Sequence, residues 1–120
     1  MVKILDKPIQ YPQDDISIDE FVGKISTGNS DVSIARIQCA ANWSEPDQTP
    51  EFDEYVFVIS GVLCVTPAGK APVRIEAGKM AHIPKGETIH YWTPSDCPAD
   101  YVAICLPAFG IETAHRNSCS

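Results

Sequence analysis

One carboxylate and two imidazoles sit inside runs that otherwise hold strand-forming residues. Glu54 heads Glu54-Tyr55-Val56-Phe57-Val58-Ile59, His82 lies in Met80-Ala81-His82-Ile83, and His90 lies in Ile89-His90-Tyr91-Trp92. A carboxyl enclosed by apolar side chains resists ionisation, so its pKa rises and it can act as a general acid or base beside a histidine. A structural account competes with that one: Glu54 pairs with Arg36, Arg74 or a tyrosine hydroxyl, and His90 belongs to the surface. His82 shares the parity of Met80 and opposes Ala81 and Ile83, so either face of its strand could be interior; a histidine in such a strand is commonly a hydrogen-bonded core or interface residue. His115, in the tail, is expected in solvent and without a role.

The elements that must position these groups are strands. Seven Gly and ten Pro punctuate short runs rich in Val, Ile, Tyr and Phe, and no window holds the apolar spacing of a long amphipathic helix. The pattern predicts strands over 32–39, 54–59, 62–67, 73–76, 80–84, 89–93 and 100–106. Ser60-Gly61 reads as a tight hairpin turn and Pro67 to Lys70 as the next. Ser17 with Glu20 three residues on has the capping-box arrangement, predicting one helical turn over 17–21. Trp43 to Pro50 reads as a loop in which Trp43 is either a lid over the mouth or an anchor. Many short strands at regular spacing predict an all-β barrel or jelly roll. If Glu54 points inward, Val56 and Val58 follow, and Gln48, Pro50 and Phe52 continue that parity upstream. Tyr55 and Phe57 then cover the other face, which predicts a homodimer.

A chain of 120 residues suits one domain. A net charge of −7 repels phosphate backbones and anionic lipid, so neither nucleic acid nor membrane is an expected partner. Nothing approaches the roughly 20 apolar residues of a membrane span, and the first residues lack the apolar run of a signal peptide. A cytoplasmic protein is expected. Five cysteines, an odd number without a CxxC pair, fit neither a disulfide framework nor a zinc ribbon. Cys39, Cys64 and Cys105 read as small core residues and Cys119 as exposed.

Two spacings carry a resemblance. Glu54 is followed after six residues by Gly61, and Gly78 after five by Pro84-Lys85-Gly86. This frame resembles the cupins, and the run from Ile83 to Pro94 with Tyr101-Val102-Ala103 and Leu106-Pro107-Ala108 is similar to the small cupins of the ethanolamine-utilisation Q type. The resemblance implies a single-domain cupin β-barrel over 34–110, preceded by an extension over 1–33 that joins the barrel or a dimer and followed by a tail over 111–120. It also implies dimers and an acetate kinase activity, yet Lys85-Gly86-Glu87 is too short to be a phosphate loop and lacks its glycine spacing.

Cupin metal sites use three histidines and one glutamate, donors that suit iron, manganese or nickel. Here the paired histidine positions fall on Gln48 and Pro50, or on Asp47 and Thr49. The later one falls on Ile89, with His90 one residue on and thus on the opposite face of a regular strand. The resemblance therefore implies a depleted or absent site, in which Glu54 and His90, with His82 or Gln48, would hold a divalent iron, manganese, nickel or zinc ion. Tyr91, Trp92 and Tyr101 lie where the closing strands of a cupin flank the mouth, and with Tyr55 they are candidates to contact ligand. The expected function is binding, with conversion open, of a small polar organic molecule inside the barrel, Glu54 and His90 being the catalytic candidates. A non-catalytic sensor or accessory cupin and a metal-dependent isomerase, lyase or oxygenase are the alternatives.

Overall fold

A computed structural model describes residues 1–116. Eight strands run in the order β1 (Ile9–Pro12), β2 (Ile16–Val22), β3 (Ser33–Cys39), β4 (Asp53–Pro67), β5 (Val73–Glu76), β6 (Met80–Ile83), β7 (Ile89–Trp92) and β8 (Ala99–Leu106), before a single helical turn, α1 (Ile111–Ala114). All pairings are antiparallel. The strand order is β1-β2-β3-β8-β4-β5, with β6 and β7 also on β4. β4 is the spine: its first half lies between β8 and β6, and its second half between β5 and β7. One long strand shared by two sheets folds them into a cupin barrel, whose closure hides most strand edges.

Alternation places the side chains. Gln48, Pro50, Phe52, Glu54, Val56 and Val58 are all buried, whereas Tyr55 is half-buried and Phe57 is exposed. Beyond the midpoint Val62, Leu63, Cys64 and Val65 are buried without a break. Full burial of Val56, Val58 and Leu63 contributes about 1.5–3 kcal/mol each. They pack with Ile89, Tyr91, Tyr101 and Ala103 into the main core.

Two sequence expectations are corrected. The hairpin expected at Ser60-Gly61 is absent, and β4 runs through it. Gly61 has a φ of +76°, and a β-carbon there would stand 1.9 Å from the Pro98 carbonyl oxygen. The register against β8 shifts between Val58 and Ser60, so the glycine marks a bulge that bends the strand from one sheet to the other. The turn at Pro67 to Lys70 does form, closed by the Lys70 amide on the Pro67 carbonyl at 3.0 Å. The helical turn expected over 17–21 is strand β2 instead. Its ladder to β3 runs from Ile16 opposite Cys39 to Val22 opposite Ile34, burying Ile16 and Glu20. Period-two burial and a partner strand outweigh a local capping signal.

The chain after β8 returns to the barrel. The Glu51 amide donates to Thr113 O at 2.8 Å and the Thr49 amide to His115 O at 3.2 Å, and Arg116 forms an isolated bridge with Gln48. Ala114 is fully buried beneath this strap. Among the described residues no helix is long and apolar enough to cross a membrane. Cys119 lies outside the described residues.

Candidate functional site

The barrel holds a cavity of about 400 Å³. Its polar wall is Glu54 from β4, Tyr91 from β7, Tyr101 and Cys105 from β8, Glu45 and Gln48 from the loop before β4, and Arg116 from the strap. Its apolar wall is Ile16 and Ile18 of β2, Ala35 and Ile37 of β3, and Phe52. Each strand residue arrives by alternation: in β7, Ile89 and Tyr91 turn inward, and His90 and Trp92 turn outward.

Glu54 is 9% exposed. One carboxylate oxygen accepts the Tyr91 hydroxyl; the other meets the Cys105 thiol at 3.7 Å. Burial raises the Glu54 pKa, with the Tyr91 and Cys105 hydrogen bonds and Arg116 opposing. Glu45 is also raised, to about 7, first by burial, against the pull of Arg116 and with the push of Glu54. The Gln48 side chain links the groups: Nε2 donates to Glu45 Oε1 at 3.5 Å, and Oε1 accepts from Arg116 Nε at 3.3 Å. Arg116 Nη2 lies 3.9 Å from Glu45 Oε2, and the guanidinium caps the Phe109 ring at 5.4 Å. Burial also lifts Tyr91 and Tyr101 well above 10, so both hydroxyls keep their protons. Burial pushes the Cys39 thiol up to about 12 and raises Cys105, which leaves both unreactive. Glu45, raised to about 7, can donate or accept a proton near neutral pH, and the reluctantly ionised Glu54 shares its cavity with two phenols.

Of the residues singled out in the sequence, Glu54, Gln48, Tyr91 and Tyr101 meet in this cavity, and the others lie elsewhere. His90 turns outward, its Nδ1 3.0 Å from Asp47 Oδ1. His82 stands on the outer face, stacked on Tyr55 with centroids 4.6 Å apart, its Nε2 3.3 Å from Asp53 Oδ1. The Tyr55 ring is therefore a surface partner of His82 and not a pocket wall. Trp92 ties to Thr66, its Nε1 donating to Oγ1 at 2.9 Å. Trp43 is a buried anchor and not a lid, and its amide donates to Thr93 Oγ1 at 2.8 Å. His115 pairs with Glu51 at the surface.

Glu45 and Arg116 escaped the sequence reading. Glu45 lies in a loop where periodicity has no hold, and Arg116 reaches Gln48 across 68 positions. Among the described residues no imidazole lines the cavity, and no three His, Cys, Asp or Glu side chains converge to hold an ion. The groups in contact with Glu54 are a phenol and a thiol, and the Glu45 carboxyl and Gln48 amide line the same cavity. They do not fit the three-histidine, one-glutamate set of a cupin metal centre.

This geometry has recognisable relatives. Residues 39–96 match the model of the EutQ-like cupin domain. The Salmonella typhimurium structure assigned to ethanolamine utilization protein Q superposes with a TM-score of 0.66 at 26% identity, over 78% of this chain and 71% of that one. Oxalate decarboxylase of Bacillus subtilis superposes with a TM-score of 0.80 at 10% identity, over 93% of this chain and 30% of that one, a likeness of fold alone. In sequence, the chain is 41% identical over 108 residues to a Myxococcus xanthus protein named endoribonuclease YbeY. That match covers 89% of this chain and 36% of that relative, so the chain spans about a third of its length. Fold and matches together give the described residues a cupin fold, with residues 39–96 resembling the EutQ-like cupin domain. Within that class it is a small cupin resembling the EutQ type.

Proposed function

We propose that this cupin binds a small organic molecule inside its barrel, with Glu54 as the central polar group and Glu45, Gln48, Tyr91 and Tyr101 around it. The observation that carries the reading is a buried, reluctantly ionised Glu54 facing a cavity of about 400 Å³. An enclosed carboxyl with one firm hydrogen-bond donor is costly to the fold, and perturbed acids in cavities mark functional sites. Pocket size and the mix of apolar walls with a few polar groups suit a small ligand. Glu45, with its pKa near 7, adds a group suited to proton transfer, so conversion by general acid–base chemistry is part of the proposal.

The accessory reading, binding without turnover, shares every residue of this site and differs only in outcome. A metal-dependent isomerase, lyase or oxygenase has less support, because the donor set does not suit a transition metal. RNA also has little support as a substrate of this chain, whose net charge is −7. The reading includes a homodimer, in which a second copy covers the outer face where Phe57, Met80 and Leu106 are exposed. It also places the protein in the reducing cytoplasm, in keeping with the free thiols Cys39, Cys64, Cys97 and Cys105.

A thermal-shift screen of small organic molecules against the parent and Glu54→Gln tests the proposal. Compounds that raise the parent's melting temperature and lose at least tenfold in affinity in Glu54→Gln support it. A screen without binders, or binders indifferent to Glu54→Gln, removes it.

A further inference from the structure

We infer that the ligand of the barrel is a small organic cation, a protonated amine carried on an apolar body. The inference rests on the barrel-ligand reading and names its ligand. Four carboxylates line the cavity against two cations, and both cations are already engaged. Lys24 Nζ lies 3.2 Å from Glu112 Oε1, at the rim. Arg116 is committed to Glu45 and Gln48 and lies over the Phe109 ring. Glu54 has no such cation, and its second oxygen, buried with the rest of the side chain, has only a thiol at 3.7 Å for a donor. A thiol is a weak donor, so this oxygen faces the cavity with most of its hydrogen-bonding capacity unspent.

An ammonium group supplies what that oxygen lacks: several donors on one charge, giving charge-assisted bonds to Glu54 and to the neighbouring Glu45. The gain is larger inside the barrel than in water, because the local dielectric is low. An anionic ligand faces the opposite balance. It would have to draw Arg116 away from Glu45 while lying against Glu54, leaving two carboxylates without compensation. A neutral alcohol could satisfy the oxygen but offers no charge to the pair. Ile16, Ile18, Ile37 and Phe52 also line the cavity, and this apolar surface suits hydrocarbon and not a second polar end.

The test is a methyl-detected NMR titration, following Ala103 and Ile37 in the cavity, with butyl, hexyl and benzyl amines and with the alcohol and carboxylate of matching shape. Saturable shifts with the amines, at least tenfold tighter than with either isostere, are expected. Glu54→Gln and Glu45→Gln should each weaken the amine at least tenfold while changing the alcohol less than threefold. The same spectra show whether each variant keeps its fold, and either variant alone suffices. If a carboxylate or alcohol binds at these methyls as tightly as its amine, the cation is wrong and the barrel site stands. If no member of the panel shifts them, the cation is again overturned; the barrel reading itself falls only if the wider screen is empty too.

Discussion

Glu45 links the site to the stability of the whole chain. In the folded protein it keeps its proton up to about pH 7, whereas its ordinary value is 4.5. Between those values the unfolded chain has released a proton that the folded chain still holds, so stability falls as pH rises across this window. The contribution is complete below about pH 4.5 and lost above about 7. Its ceiling is on the order of 3 kcal/mol at about 1.36 kcal/mol per pKa unit. Urea melts at pH 5 and pH 8 should show the parent losing part of that stability, and Glu45→Gln, which cannot titrate, losing markedly less. An equal loss in both chains would place Glu45 in solvent. At this scale the sequence was partly legible. Glu54, Gln48, Tyr91 and Tyr101 were visible through alternation and through the cupin spacing, whereas His90 was carried as a site residue although its one-residue offset sets it on the opposite face of a regular strand. Glu45 and Arg116 were not visible, because a loop residue and a distant strap meet only through the closed barrel.

At the scale of elements, Gly61 shows how one local signal serves two structures. Glycine with positive φ suits a hairpin turn and also a bulge, and the flanking β-branched runs are the same in either case. The close Pro98 carbonyl decides between them. Gly61→Ala combines a strained backbone with a collision against main chain, so it should cost about 3 kcal/mol or more, read as a lowered urea midpoint with an unchanged slope. A loss below about 0.5 kcal/mol would mean that the strand bends elsewhere. β2 carries the complementary lesson. Ser17 and Glu20 have helix-cap spacing, but Ile16, Ile18 and Glu20 alternate, and the exposed edge of β3 was there to pair with them. Nothing local to residues 17–21 reveals that edge.

At the scale of the molecule, the barrel encloses a cavity with apolar walls and a few acids, and it has a partly apolar outer face. Phe57 lies opposite Met80 on paired strands, 38% and 58% exposed, with the Tyr55–His82 stack beside them. Exposed aromatic and Met side chains grouped on one sheet face are the usual core of an interface. The parent should sediment as a dimer and Phe57→Asp as a monomer, with an unchanged far-ultraviolet spectrum; a monomeric parent would contradict the proposed assembly. The proposed site depends on the two cavity acids, and 13C NMR titration of the Glu45 and Glu54 side-chain carboxyls tests them most directly. The prediction is a Glu45 midpoint near 7, a Glu54 midpoint raised above 4.5, and a further rise of Glu45 in Arg116→Gln. Both carboxyls titrating near 4.5, indifferent to Arg116, would contradict the buried acid pair and the site built on it.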